Sequence, residues 1–284
     1  MPTEPHREDA TNRDTSDWRP AATSASQKAY STVSVLGVPI ACLDLQQVLG
    51  MVSRAVEERQ SPPLTVSYAN AHTCNLAWAD PMLRSHLQRM DLVYVDGNGP
   101  RIAAWLQGRR LPRRMTGADW IHDLCAICVE RGFGLFLLGA PKGVAGQAAD
   151  RLRSRHPGLQ VRGTHSGYFS DGELPDVLRS TVEAKADIVL VGMRSPEQEA
   201  WIIEHASALG APVVWGTGGM LEYVSGSVRR PPRWMRRLAL EWLGRMLIDP
   251  TRLTRRYVLG VPAFLARATA EGIQARVRAW TDTA

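Results

Sequence analysis

Short, uninterrupted apolar runs separated by helix-length stretches constrain this chain more than any other feature. Leu64-Thr65-Val66-Ser67-Tyr68, Leu92-Val93-Tyr94-Val95, Gly134 to Gly139, Asp187 to Gly192 and Pro212 to Trp215 each read as strands. Strands such as Ile188-Val189-Leu190-Val191 are apolar on consecutive residues, as a sheet covered on both faces requires. Strands that alternate with helices of about 10–15 residues build βαβ units and a parallel sheet. The predicted fold is therefore α/β, a Rossmann-like three-layer sandwich.

The punctuation agrees with that pattern. Val33, Val35, Val38 and Ile40 suggest a first strand or hairpin. Asp44 is placed to cap a helix in which Leu45, Val48, Leu49, Val52 and Val56 recur at helical spacing. Asp80-Pro81 opens another helix, with proline at its first position. Further helices are predicted from Thr116 to about Arg131, from Gly143 to about His156, and from about Gly172 to Ala184. Leu159-Gln160-Val161 reads as a short strand, followed by the run Gly163 to Phe169. Cys125 and Cys128 form a C-x-x-C, but they lie within an apolar helical pattern and lack a second pair at zinc-like spacing. They read as reduced core cysteines, which fits a cytoplasmic setting.

The two ends differ from this core. Residues 1–30 contain no Leu, Ile, Val or Phe and read as a disordered tail. They also lack a basic-then-apolar secretion signal. The core is predicted over 31–226. Residues 227–284 form a basic helical appendage: nine arginines occur between 229 and 256, opposed by Glu241 and Asp249 alone. Trp234, Met235, Leu238, Trp242, Leu243, Met246 and Leu247 fall on one broad face of it, and Arg252, Arg255 and Arg256 share a second. The segment reads as a solvated helical face, a nucleic-acid surface or an interfacial membrane helix, and tryptophan with arginine around an apolar face favours the last. No apolar run approaches the roughly 20 residues that span a bilayer. The whole chain is basic, with net charge +6 and pI about 9.4, so an acidic partner is expected.

Candidate chemistry gathers at strand ends, where ligands of open α/β sheets bind. Asp96-Gly97-Asn98-Gly99 follows one strand, and Asn70-Ala71-His72 follows another. Asp96 is either a catalytic carboxylate or a helix cap. Gly139-Ala140-Pro141-Lys142-Gly143 is either a diphosphate-receiving turn or a plain one. Neither G-x-x-x-x-G-K-[ST] nor G-x-G-x-x-G is present. That absence counts against P-loop nucleotide hydrolysis and against a nucleotide-sugar epimerase or dehydrogenase. A basic nucleic-acid-binding protein is a further alternative.

A larger set of residues carries a resemblance. It comprises Asn70-Ala71-His72, Asp80-Pro81, Asp96-Gly97-Asn98-Gly99, Arg114-Met115-Thr116-Gly117-Ala118-Asp119, Leu138-Gly139, Gly163 to Phe169, Pro196-Glu197-Gln198-Glu199-Ala200-Trp201, Gly216-Thr217-Gly218-Gly219 and Ala239-Leu240-Glu241-Trp242. In that order it resembles the WecG/TagA/CpsF glycosyltransferase family, from about Leu36 to Phe264. The resemblance implies an inverting, metal-independent hexosyltransferase without a cofactor. It would use a UDP-sugar donor and a polyprenyl-diphosphate-linked saccharide acceptor, at the cytoplasmic face of the cell membrane. The product would belong to an exopolysaccharide, a teichoic acid or an enterobacterial-type antigen. Asp96 would be the general base, with Asn70 and Arg114 beside it. The substrate-binding set would be Tyr68, His72, Gly97, Asn98, Gly139, Thr164, Gln198, Glu199, Gly218, Arg233 and Arg237. The C-terminal arginines would close over the diphosphate and dock on anionic lipid. No nucleic-acid partner is implied, and a homo-oligomer is left open. Two positions depart from the family pattern: Tyr68 stands where threonine is usual, and Arg194 where glycine is often found before the Ser195-Pro196 run.

Overall fold

The computed structural model describes residues 30–232, 235, 241–248 and 253–281. The predicted tail over 1–30 lies almost wholly outside them, as do Arg233 and Arg237.

β1 (Thr32–Val35) and β2 (Val38–Ala41) form an antiparallel hairpin. Its two turn residues, Leu36 and Gly37, both have positive φ (49° and 81°), the geometry a two-residue hairpin turn demands. After the hairpin come α1 (Leu45–Glu57), β3 (Leu64–Ala69), α2 (Ala71–Ala79), α3 (Pro81–Arg89), β4 (Leu92–Val95), α4 (Gly99–Leu106) and α5 (Gly117–Arg131). The second half holds β5 (Gly134–Gly139), α6 (Val144–Arg155), β6 (Gln160–His165), α7 (Leu174–Ala184), β7 (Ile188–Gly192), α8 (Glu197–His205), β8 (Val213–Gly216) and α9 (Met220–Ser225). Beyond them lie α10 (Glu241–Ile248), a π-helical turn at Arg255–Leu259 and α11 (Gly260–Thr281).

β3 to β8 form one parallel sheet in the order β4-β3-β8-β7-β5-β6. Alternate residues of each strand serve opposite cores. Leu135, Leu137, Leu190 and Trp215 pack on one face, and Phe136, Leu138, Val191 and Val214 on the other. This is the doubly covered sheet that the continuous apolar runs call for. The predicted caps form as well: Asp44 makes a capping box with Gln47, and Asp80 accepts from the amides of Met82 and Leu83. Cys125 and Cys128 are free thiols buried on α5.

One prediction falls short. β6 runs on to His165 instead of ending at Val161. Gly163 is needed within the strand, because a Cβ there would sit 2.4 Å from the Phe136 ring.

The last helix lies on the core. Phe264 and Ala268 of α11 are buried at 1% and 0% exposure in the same cluster as β4 and α4 side chains. Glu271 accepts from the amide of Leu36 in the hairpin turn, at 3.0–3.1 Å, and from Gln107 Nε2 at 3.1 Å. Gln107 also donates to the Ser34 carbonyl at 2.9 Å. The chain's last described helix is thus pinned to its first described strands. No described helix is long and apolar enough to cross a membrane.

Candidate active site

The carboxyl ends of β3, β4, β7 and β8 open into two adjoining cavities, each of about 380 Å³. The first lies between α2, α4 and the start of α11. The second lies over β8, under the N-terminus of α5 and beside α9. Asn70, His72, Asp96, Thr116 and Arg256 line both.

Local sequence explains how the shared wall is built. β3 and β4 pair in parallel register, so the residues just past their ends stand side by side. The Asp96 amide donates to the Ala69 carbonyl at 2.8 Å, which continues that pairing past the strand. Asn70 caps α2, its Oδ1 accepting from the amides of His72 and Thr73 at 3.0 Å each. That fixes the amide so that Nδ2 donates to Asp96 Oδ2 at 3.2 Å. Gly97 turns the chain at φ 80°. Gly99 lets α4 approach α2, since a Cβ there would stand 2.7 Å from the Ala71 methyl. Asn98 and Arg114 complete the first cavity, which is otherwise largely apolar toward Ile102, Phe264 and Leu265. Arg109, Arg110 and Arg113 are exposed on the loop beyond α4.

Burial shifts the proton equilibria of two side chains on these walls. Burial first, and then the Arg256 charge, hold the His72 imidazole down at about 4, so it is neutral at physiological pH. Burial and the neighbouring Glu199 push the Tyr68 phenol well above its ordinary range, leaving it a hydroxyl donor. Tyr68 and Tyr94 reach the second cavity. Beneath them Trp120 stacks on Trp215 with ring centroids 4.0 Å apart and donates to Tyr94 Oη at 3.2 Å. Arg256 belongs to the π-helical turn, and its buried Nε has no hydrogen-bond partner among the described residues. Such turns recur at functional sites.

The remaining predicted positions fall elsewhere. Gly139 and Thr164 stand at the ends of β5 and β6, outside both cavity walls. Gln198 and Glu199 are fully buried behind the second cavity. Gln198 Oε1 accepts from the Gly218 amide at 2.8 Å, and its Nε2 donates to Glu199 Oε1 at 2.9 Å. Ser67 Oγ donates to that same carboxylate oxygen at 2.9 Å. Burial raises the Glu199 carboxyl above its usual range. Gln198 and Glu199 line neither cavity, and nor does Gly218, although its neighbours Thr217 and Gly219 line the second.

Among the cavity residues to which the sequence gives no individual role are Arg256, Thr116 and Glu222. Arg256 was one of nine similar arginines. Thr116 stands in the run Arg114 to Asp119 that carries the resemblance, and as a helix start, but with no site role of its own. Glu222 of α9 gave no signal at all; it pairs with Arg194 across the second cavity.

A family model described as the glycosyl transferase WecG/TagA/CpsF family matches residues 33–278. A Bacillus subtilis (strain 168) protein is 31% identical over 178 residues, 63% of this chain and 68% of its own. A Staphylococcus aureus (strain NCTC 8325 / PS 47) protein is 28% identical over 233 residues, 82% of this chain and 90% of its own. Both bear the name N-acetylglucosaminyldiphosphoundecaprenol N-acetyl-beta-D-mannosaminyltransferase.

Proposed function

Because this chain belongs to the WecG/TagA/CpsF family of glycosyl transferases, we propose that it moves a sugar, with inversion, from a UDP-sugar to a polyprenyl-diphosphate-linked saccharide. The observation that carries this reading is Asp96 on the wall common to two cavities. Such a carboxylate touches both substrates at once. The second cavity takes the donor, and the first takes the acceptor.

In the proposed step Asp96 accepts the proton of the acceptor hydroxyl. The freed oxygen attacks the anomeric carbon as the bond to the UDP oxygen breaks on the opposite face. Negative charge then grows on the departing diphosphate. Arg256, together with the N-terminus of α5 at Gly117 and Ala118, is assigned to stabilise it. Arg230 braces that helix start with two bonds to Asp119, at 2.7 and 2.8 Å. The reading calls on arginine and backbone amides for this charge, and on no cofactor. Neutral His72 and protonated Tyr68 serve as hydrogen-bond donors in the cavity wall.

The relatives' names make an N-acetylmannosaminyl donor and an N-acetylglucosaminyl-diphosphoundecaprenol acceptor the first pair to test. A panel of UDP-sugars incubated with that acceptor should release UDP with one donor strongly preferred. Release from no donor, with acceptor verified, would reject the reading. Family membership favours glycosyl transfer over the epimerase or dehydrogenase alternative.

The appendage is proposed to bind the inner face of the cell membrane. On α11, Ile273, Val277 and Trp280 are exposed at 60%, 54% and 75%, next to Arg276 and Arg278. Deleting the segment would strip Phe264 from the core. The sharper test replaces Ile273, Val277 and Trp280 by serine. Pelleting with anionic liposomes should fall, and undiminished pelleting would reject this part of the proposal.

A further inference from the structure

The donor cavity holds an ion pair that the transfer step does not use. Arg194 follows β7, and its Nη2 lies 2.6 Å from Glu222 Oε1 on α9. Both side chains line the cavity, with Glu222 13% exposed and Arg194 43%. Arg194 has a left-handed backbone, φ 70°. Glycine adopts that conformation freely, whereas an L side chain suffers a clash between Cβ and the following carbonyl. The backbone here favours glycine, yet the chain carries an arginine reaching the carboxylate across the cavity. Strain of this kind collects at functional sites.

The charges make the consequence plain. A carboxylate with little exposure, facing a cavity that receives a nucleoside diphosphate, repels it. A guanidinium beside the carboxylate cancels that repulsion and fixes where its oxygens point.

We propose that Arg194 is a donor-binding residue, whose guanidinium neutralises and orients Glu222 so that the cavity admits the diphosphate of the donor. This rests on the assignment of the second cavity to the donor. It separates the two halves of the nucleotide. Arg194 governs binding of the charged diphosphate and is indifferent to the neutral nucleoside.

Calorimetric titration with UDP and with uridine tests it, using wild type, Arg194→Gly, Glu222→Gln and the double variant. Arg194→Gly relieves the backbone strain but leaves Glu222 unpaired, so the melting temperature should match or exceed that of wild type in the double variant, where both penalties are gone. The affinity of Arg194→Gly for UDP should fall about tenfold or more at low salt, a deficit that shrinks as salt rises. Its affinity for uridine should hold. Adding Glu222→Gln should return most of the lost UDP affinity, since it removes the repulsive charge. UDP affinity within about twofold of wild type in Arg194→Gly overturns the inference alone. So does a double variant no better than the single one. Wild-type protein that binds no UDP overturns the donor-site assignment and this inference with it.

Discussion

Asn70 Nδ2 donates to Asp96 Oδ2 at 3.2 Å, joining the first residues beyond two neighbouring parallel strands. The bond has a fixed direction because Asn70 Oδ1 is already committed to the amides of His72 and Thr73. One side chain thus starts a helix and aims a carboxylate.

That double duty separates two substitutions. Asn70→Asp keeps an oxygen for the helix cap but sets a second carboxylate beside Asp96. Transfer should fall by about 100-fold or more, because a shared proton disables the base, while the melting temperature stays near wild type. Asn70→Ala should lose about 1 kcal/mol of stability as well, the usual contribution of such a cap. Thermal melts alongside initial rates check both. Equal losses of stability in the two variants would remove the capping argument.

Arg256 makes a charge-specific prediction. A hydrogen bond to a charged group contributes about 1.5–3 kcal/mol. Arg256→Gln should therefore lower kcat/KM by roughly 10- to 150-fold, with weaker inhibition by UDP. Arg256→Lys should recover part of the loss, since it restores charge but not the planar fork. Steady-state kinetics with UDP as inhibitor reads both effects.

His72 predicts a pH dependence of stability. Its folded value of about 4 lies below the ordinary 6.5, so between those values the unfolded chain binds the extra proton. Its contribution to stability is complete above pH 6.5 and is lost as pH falls toward 4. His72→Gln should remove this component. Relative to the variant, wild type should lose up to about 2 kcal/mol between pH 7 and pH 4. Denaturant melts across that range measure the gap, and parallel curves would show that His72 does not titrate this way.

Much of this site was legible because parallel strands deliver their ends to one edge. Asp96 and Asn70 each follow a short apolar run, and strand–helix alternation alone places both at the carboxyl edge. The residues behind the wall were not legible. Gln198 and Glu199 look like ligand contacts in a polar helix start. The structure turns them inward because Gly216 leaves room, its missing Cβ being 2.5 Å from where Gln198 Nε2 lies. Gly139 and Thr164 share the carboxyl edge but belong to strands too far along the sheet. Arg256 is marked only by how α11 docks. Arginine dominates the composition of that end, while Phe264 and Ala268, which seat the helix, are two ordinary apolar residues in a mixed pattern.

The central claim is that Asp96 removes the acceptor proton at the junction of the two cavities. The direct measurement is transfer by Asp96→Asn with a verified lipid-linked acceptor, alongside calorimetric titration of the same preparation with UDP. The substitution keeps an oxygen and the shape but cannot take a proton. The expected result is a loss of at least about 100-fold in transfer rate with UDP affinity and melting temperature preserved. Transfer at the wild-type rate would contradict it.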